Sequence, residues 1–420
     1  MGKTEFDAIV VGSGPAGATI ARDLSKRGRR VLVLERGEET PLKEGFRMAS
    51  ILNSVQVGEQ LSTVSAYTTG GTTAVYFASA VEPPIDNFKA LGVDIAREAE
   101  EAKSELPLSQ LPDNRLSAAT LRARECAAEL GYGWEKASMM VDQSACRSGY
   151  CYHAKWNARR FLGDAINAGA SLVTRAKVRR VLVERKRALG VEYETRAGKK
   201  HVEIRRAYGA KVILSAGAAA SPIILKDSGI RSVLQCGFYC HPSYAYFGTV
   251  RGLKARDGFV GSMGTVFDGN IAIGDGNASR TLFRLMMLAN RQFIRAFRYS
   301  SAIGVGVMVR EGLAGGLSED GKYHKELNRQ DRLKLEKGGD VALRIVQRAG
   351  GTDIYKSPLS SSQIGGTIRL NEHIDTNFET EYRNLHVCDG SIIPHDVNIT
   401  PTLTLICLGK YLAKTLAARA

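Results

Sequence analysis

A chain of 420 residues, 44% apolar and 24% charged, is long enough for two domains with separate cores and has an ordinary globular composition. Its 58 Lys+Arg against 43 Asp+Glu give +15, carried in short clusters such as KRGRR (26–30), RRVLVERKR (179–187) and RR (205–206). With no long basic tail and no aromatic-interleaved basic stripe, nucleic acid is excluded as an expected partner. Peripheral contact with an anionic surface stays open. Seven thinly spread cysteines, no signal-like stretch and no run near the ~20 apolar residues of a membrane span lead to the expectation of a reduced, cytoplasmic chain.

Residues 8–11 form a short apolar run suited to a buried parallel strand. Gly12, Gly14 and Gly17 follow in G-x-G-x-x-G spacing, with Ser13, Pro15 and Ala16 between them, and an amphipathic helix is expected over 15–26. A second apolar strand, 31–34, ends at Glu35, 18 residues after Gly17. In this context Gly12 permits a tight turn, Gly14 a close backbone approach to a pyrophosphate, and Gly17 close helix–strand packing. The helix N-terminus offers N–H groups to phosphates, and Glu35 can accept ribose hydroxyls. The motif alone leaves NAD and FAD both open.

GGTTAVYFASA (70–80) opens with a turn, Gly70-Gly71-Thr72, able to bring backbone amides against a second part of a cofactor. A helix is expected over 161–168 and strands over 171–174, 178–184, 190–194 and 202–204. A buried strand over 212–214 then ends at Ala216-Gly217 before another helix. The stretch 281–310 sets Leu, Met and Phe between arginines, as an amphipathic helix would. Residues 326–351 read as a charged helix, a turn at Gly338-Gly339, and an apolar-faced helix. Near the end, Thr400 is the natural N-cap of a helix whose first residue is Pro401.

Several blocks occur in a specific order: GSGPAG with its acid, GGTTA, CRSGYCYHAKWNARRFL (146–162), ILSAGAAASPIIL (213–225), CHP (240–242), SQIGGTIRL (362–370) and NLHVCDGSIIP…TPTLTL (384–405). Together they resemble the glucose–methanol–choline (GMC) oxidoreductases, which are FAD-dependent. The resemblance implies an α/β chain. A Rossmann-like FAD-binding domain would be built from 1–90, 145–235 and 352–420, and a second, α+β substrate domain, on an antiparallel sheet, from 91–144 and 236–351. It also implies FAD contacts from Gly12, Ser13, Gly14, Pro15, Ala16, Gly17, Glu35, Gly70, Gly71 and Thr72. Val178 would touch the adenine through its backbone, and Ala216, Gly217, Asp389 and Gly390 would lie along the cofactor. Thr400 and Pro401 would meet the flavin's pyrimidine end, where the helix dipole favours the anionic reduced form. Some members attach FAD through a His on the substrate side of the Gly-Gly turn. None of the seven histidines lies there, so non-covalent FAD is expected.

The family's chemistry is the part that departs. Alcohol-oxidising members usually carry a His in a block like H-P-x-G-G and a His or Asn just before the last helix's proline; these positions are Ser362 and Thr400 here. A frequent Asn after the Gly-Gly turn is replaced by Tyr76. Neither hydroxyl is a good base at neutral pH. Three accounts remain. In the first, another residue supplies the base: His395 leads, with Asp396 orienting it, ahead of His373 and His241, and Gln363 can bind a substrate carbonyl or hydroxyl. In the second, the substrate needs no strong base: the flavin reduces or desaturates an activated carbon, as in a carbon–carbon bond, or is used without net redox change, with Tyr76 as acid. In the third, the protein carries flavin as an electron-transfer partner without turnover. The first implies hydride transfer between flavin N5 and the CH–OH carbon of a small molecule, a sugar, polyol or alcohol. The electron acceptor, whether oxygen, a quinone or a protein, is left open. No metal is expected, because the pairs Cys146/Cys151 and Cys236/Cys240 belong to segments that the resemblance places apart.

Overall fold

Strand β1 (Phe6–Val11) reads FDAIVV, and its last four side chains are buried, as a strand covered on both faces requires. The computed structural model describes residues 5–45, 50–58, 61–146, 149–197, 201–395 and 400–418. β1 pairs in parallel with β2 (Val31–Leu34) on one side and with the end of His201–Leu214 on the other. Ser171–Val173 and Leu385–Val387 extend the parallel sheet at its two edges. Between β1 and β2 runs helix α1 (Pro15–Ser25), opened by its proline.

The strands expected over 202–204 and 212–214 are one 14-residue strand. Its last part, from Gly209, lies in the buried parallel sheet. Its first part pairs antiparallel with Arg187–Ala197, which in turn pairs with Ala176–Glu184. Val202 and Ile204 are half exposed, so composition changes midway along a strand that does not break.

Among the described residues a second sheet has nine strands, almost wholly antiparallel, around Pro242–Thr249 and Ala302–Val309. It also takes Leu52–Gly58, Leu61–Ala66, Thr352–Lys356 and Ser360–Ser361, from stretches expected in the cofactor-binding part of the chain. Across it packs one continuous helix, Arg329–Arg348, where a turn at Gly338-Gly339 was expected. A Cβ at Gly338 would come within 2.6 Å of Val307, and one at Gly339 within 2.0 Å of the Tyr244 hydroxyl. These glycines let the helix lie close on the sheet, and packing overrides their helix-breaking tendency. The stretch 281–310 likewise divides, into Arg280–Ala289, a short turn of helix at Phe293–Ala296, and the strand Ala302–Val309.

The terminal helix, Thr402–Ala418, crosses α1 at Gly409, where a Cβ would meet the Ala16 carbonyl at 2.9 Å. At the same crossing the buried Arg22 guanidinium pairs with Asp23 and Glu105, and buried Lys410 donates to Glu105 at 2.7 Å. Helix α1 and the middle of the last helix are thereby fastened together through Glu105. Among the described residues no helix is long and apolar enough to cross a membrane.

Candidate active site

The carboxyl ends of the parallel strands hold the glycine-rich segments together. Gly12 has φ +100°, and a Cβ there would lie 2.3 Å from the Ser215 carbonyl; one on Gly17 would lie 2.1 Å from the Gly12 carbonyl. Neither position tolerates a side chain. Gly14, the N-cap of α1, differs: no side chain caps it and nothing lies within 4 Å of where its Cβ would be. The first turn, Pro15-Ala16, thus begins beside open space. Gly70 and Gly71, both at positive φ, turn the chain back so that Gly71 approaches the Gly14 backbone (3.1 Å from a Gly71 Cβ). Thr72 follows in a short 3₁₀ turn, its hydroxyl accepting the Ala66 N–H at 3.4 Å.

Glu35 is buried at the end of β2. Its carboxylate accepts the Ser13 N–H and hydroxyl and the Gly37 N–H. Burial raises its pKa, and those hydrogen bonds counter only part of the rise. Val178 is buried where the pairing of Ala176–Glu184 with its neighbour becomes irregular. Arg159, which no sequence motif singled out, donates to the Thr69 carbonyl and Thr68 hydroxyl and so braces the Gly70 turn.

A second wall is built around Asp389. One carboxylate oxygen accepts the Gly217 N–H and Ser221 hydroxyl, the other the Ser391 N–H and hydroxyl. Its side chain is therefore a fastening between the Ala216-Gly217 loop and Gly390. Burial raises its pKa against these four donors. The Gln363–Gly366 turn joins this wall: Thr367 donates to the Ala218 carbonyl, and a Cβ on Gly365 would lie 2.9 Å from the Gly390 carbonyl.

The candidate chemical groups separate clearly. Ser362 is exposed and its hydroxyl donates to Ser243 at 2.7 Å. His395 is exposed on a turn, and Asp396 lies outside the described residues. Tyr76 is a poor acid: burial raises its pKa, and its hydroxyl already donates to the Trp156 carbonyl at 2.6 Å. Thr400 does not cap the last helix. The first helical bond, Leu405 N–H to O=C, ends on Pro401, and the Thr400 hydroxyl is buried without a partner. The amide nitrogen of Gln363 and Nε2 of His241 are likewise buried and unpartnered. Buried polar atoms of this kind call for an explanation in a native structure. His241 also sits at φ +45°, which costs a non-glycine residue about 1–3 kcal/mol. Sequence reasoning passed over its partner, Glu311, which lies 70 residues away with no motif around it.

His373 accepts the Arg369 N–H through Nδ1, so Nε2 carries the ring hydrogen toward the Ser232 carbonyl and the Cys236 sulfur, both 3.2 Å away. Burial lowers its pKa. Cys236, Glu372 and His373 approach one another as metal ligands do, but that protonated nitrogen points into the group. Lys155 was also missed: nearly buried, it donates to the Tyr76 carbonyl at 3.1 Å, and burial lowers its pKa to about 8. It borders a cavity of about 90 Å³ beside Thr73 and Ala74.

Residues 6–243, more than half of the chain, match the family model described as GMC oxidoreductase. The chain belongs to the GMC oxidoreductases. It is accordingly an FAD-dependent oxidoreductase. The long-chain-alcohol oxidase FAO3 of Arabidopsis thaliana is 23% identical over 99% of this chain and 68% of its own length. An uncharacterized protein of Methanocaldococcus jannaschii is 24% identical over 96% of this chain and 98% of its own. The crystal structure of pyridoxine 4-oxidase from Mesorbium loti superposes with a TM-score of 0.73 at 16% identity, over 98% of this chain and 99% of that one, a likeness of fold. The observed cradle fits the family's cofactor. An uncapped helix start faces open space at Gly14, two glycine loops meet beside it, and a buried carboxylate stands at the end of β2.

Proposed function

We propose that this GMC oxidoreductase oxidises the CH–OH carbon of a small alcohol, polyol or sugar, with FAD held non-covalently. Gly12 through Gly17, Glu35 and Gly70 through Thr72 would hold the nucleotide half. Val178, Ala216, Gly217, Asp389 and Gly390, with Thr400 and Pro401, would border the remainder. FAD supplies two-electron, hydride-accepting chemistry there. The protein's own part is to hold the substrate carbon against that site, accept the hydroxyl proton, and keep water away. Gln363 has a buried amide nitrogen free to donate to a substrate oxygen.

What most supports this reading is similarity along 99% of the chain to a protein named for oxidising long-chain alcohols, together with an intact glycine cradle. Incubating the holoprotein in air and with a quinone dye, using 1-dodecanol, glycerol, glucose and pyridoxine, tests it. A carbonyl product from at least one supports the proposal. Reduction or formation of a carbon–carbon double bond without any carbonyl product would replace it by the carbon–carbon reading. Acid precipitation should release all flavin to the supernatant; flavin remaining on the chain would contradict non-covalent binding.

A further inference from the structure

The site lacks the family's histidine at Ser362, yet the adjoining segment holds another. Ser362 N–H donates to the His241 carbonyl and Gln363 N–H to the Cys240 carbonyl, so 240–241 and 362–363 lie side by side. The His241 ring stacks on that of Tyr239, centroids 4.6 Å apart at 24°. The Tyr239 hydroxyl lies against Gly365, within 2.2 Å of where its Cβ would be, and that Cβ would also lie 2.9 Å from the Gly390 carbonyl. A chain of direct contacts thus leads from the imidazole to the loop at the end of the parallel sheet.

Nδ1 of His241 is 3.3 Å from Glu311 Oε2, and both side chains are almost wholly buried. Glu311 also accepts the backbone N–H groups of Cys240 and His241 and lies 3.4 Å from the buried Lys325 ammonium. Burial alone would raise the Glu311 pKa, but the His241 hydrogen bond and the neighbouring charges bring it below the ordinary value, so the carboxylate is ionised. An ionised carboxylate only accepts, so Nδ1 carries a ring hydrogen toward it; in the neutral imidazole Nε2 then holds the lone pair. Nε2 itself is buried and has no partner in the chain. Glu311 further holds the backbone of His241 in its left-handed conformation, so the structure sustains strain to keep this ring in place.

We infer that His241, oriented by Glu311, is the catalytic base that takes the substrate's hydroxyl proton on Nε2. The inference rests on the alcohol-oxidising reading above. In the step, the O–H bond breaks and its proton goes to Nε2. The C–H bond breaks with its electron pair leaving as hydride to oxidised FAD, and the carbon–oxygen double bond forms. The alcohol is oxidised, the cofactor takes both electrons, and the new imidazolium faces the Glu311 carboxylate.

Two measurements on the holoprotein decide it. Ring ¹⁵N NMR of the oxidised, substrate-free protein should show His241 protonated on Nδ1 and bare on Nε2 at neutral pH. The opposite tautomer, or a doubly protonated ring, overturns the inference. This readout needs no turnover, so it separates the two failures: a wrong tautomer overturns the assignment of His241 whatever the substrate, whereas a wild type that no alcohol reduces overturns the parent reading and this inference with it. With whichever of 1-dodecanol, glycerol or pyridoxine bleaches the wild-type flavin, His241→Asn, a residue type tolerant of positive φ, should slow bleaching about 10²–10⁴-fold with flavin content unchanged. If Asn disturbs the fold, His241→Gly suits the same backbone, and added imidazole should restore bleaching. Wild-type rates in His241→Asn, or no response of His241→Gly to imidazole, overturn it.

Discussion

The Ser13 hydroxyl donates to Glu35 Oε2 at 2.6 Å and accepts the Gly70 N–H at 3.0 Å. One side chain thereby joins the first glycine loop, the acid ending β2 and the second glycine turn. Ser13→Ala leaves the buried Gly70 N–H unpaired and removes the shortest contact of Glu35, a loss of about 1–3 kcal/mol. If FAD binding draws on this junction, its release in equilibrium dialysis of the holoprotein should rise about tenfold or more. Undiminished retention of flavin would show that the three segments hold without Ser13.

Gly14 and Gly17, three residues apart, should fail in different ways. Gly14→Ala meets nothing within 4 Å, so its fold should survive by circular dichroism while the added methyl takes space where we propose the pyrophosphate lies, and flavin is lost. Gly17→Ala drives a methyl to 2.1 Å from the Gly12 carbonyl, so soluble expression itself should fall. Equal flavin content in both variants and wild type would refute this assignment of roles.

Glu311 faces the buried His241 ring and the buried Lys325 ammonium, and Glu311→Gln leaves that ammonium without its counter-charge. Breaking a buried pair on one side costs about 3–5 kcal/mol. The urea midpoint should drop accordingly, and Lys325→Met added to Glu311→Gln should recover part of the loss. Because the folded pKa of Glu311 lies below its ordinary 4.5, its contribution is present above that value and is lost as pH falls through the lower folded value.

Asp275 carries the opposite sign. It is buried, accepts the Ser262 hydroxyl and Met263 N–H on one oxygen, and burial pushes its pKa up to about 6 from 3.8. Between those values the folded chain holds an extra proton, so this group's contribution falls as pH rises from about 4 to about 6. In Asp275→Asn the carbonyl can keep the Ser262 hydroxyl and Met263 N–H, the amide can donate to the Thr120 hydroxyl, 3.4 Å from the other oxygen, and the backbone N–H of Asn277 loses a charged acceptor. The variant should be more stable at pH 7 by about 1–3 kcal/mol, with little difference at pH 4. A less stable variant at pH 7 would contradict the sign.

The first glycine-rich unit was legible because everything that specifies it is local. Strand, glycines, helix, second strand and acid follow one another within residues 6–35, and Gly12 and Gly17 answer contacts inside that unit or with Ser215. Gly338-Gly339 misled because a local helix-breaking tendency yielded to the close approach of Val307 and Tyr244, which only the folded sheet reveals. The long strand 201–214 was read as two because its exposed and buried halves differ in composition but not in backbone. In the site, Thr400 was read as a cap from residue type, whereas the helix starts one residue further on. His241 was noticed but ranked low, since the partner that gives it meaning comes from a different strand end, 70 residues along. Tyr76 lost its expected role to a carbonyl, Trp156, that no pattern in the sequence places nearby.

The most direct test of the account is the visible spectrum of the purified holoprotein before and after anaerobic addition of 1-dodecanol, glycerol, glucose and pyridoxine. The account predicts a bound-flavin band near ~450 nm that at least one of these hydroxylated compounds bleaches. A flavin band that none of them bleaches, though dithionite does, would contradict CH–OH oxidation and point instead to carbon–carbon chemistry or electron transfer.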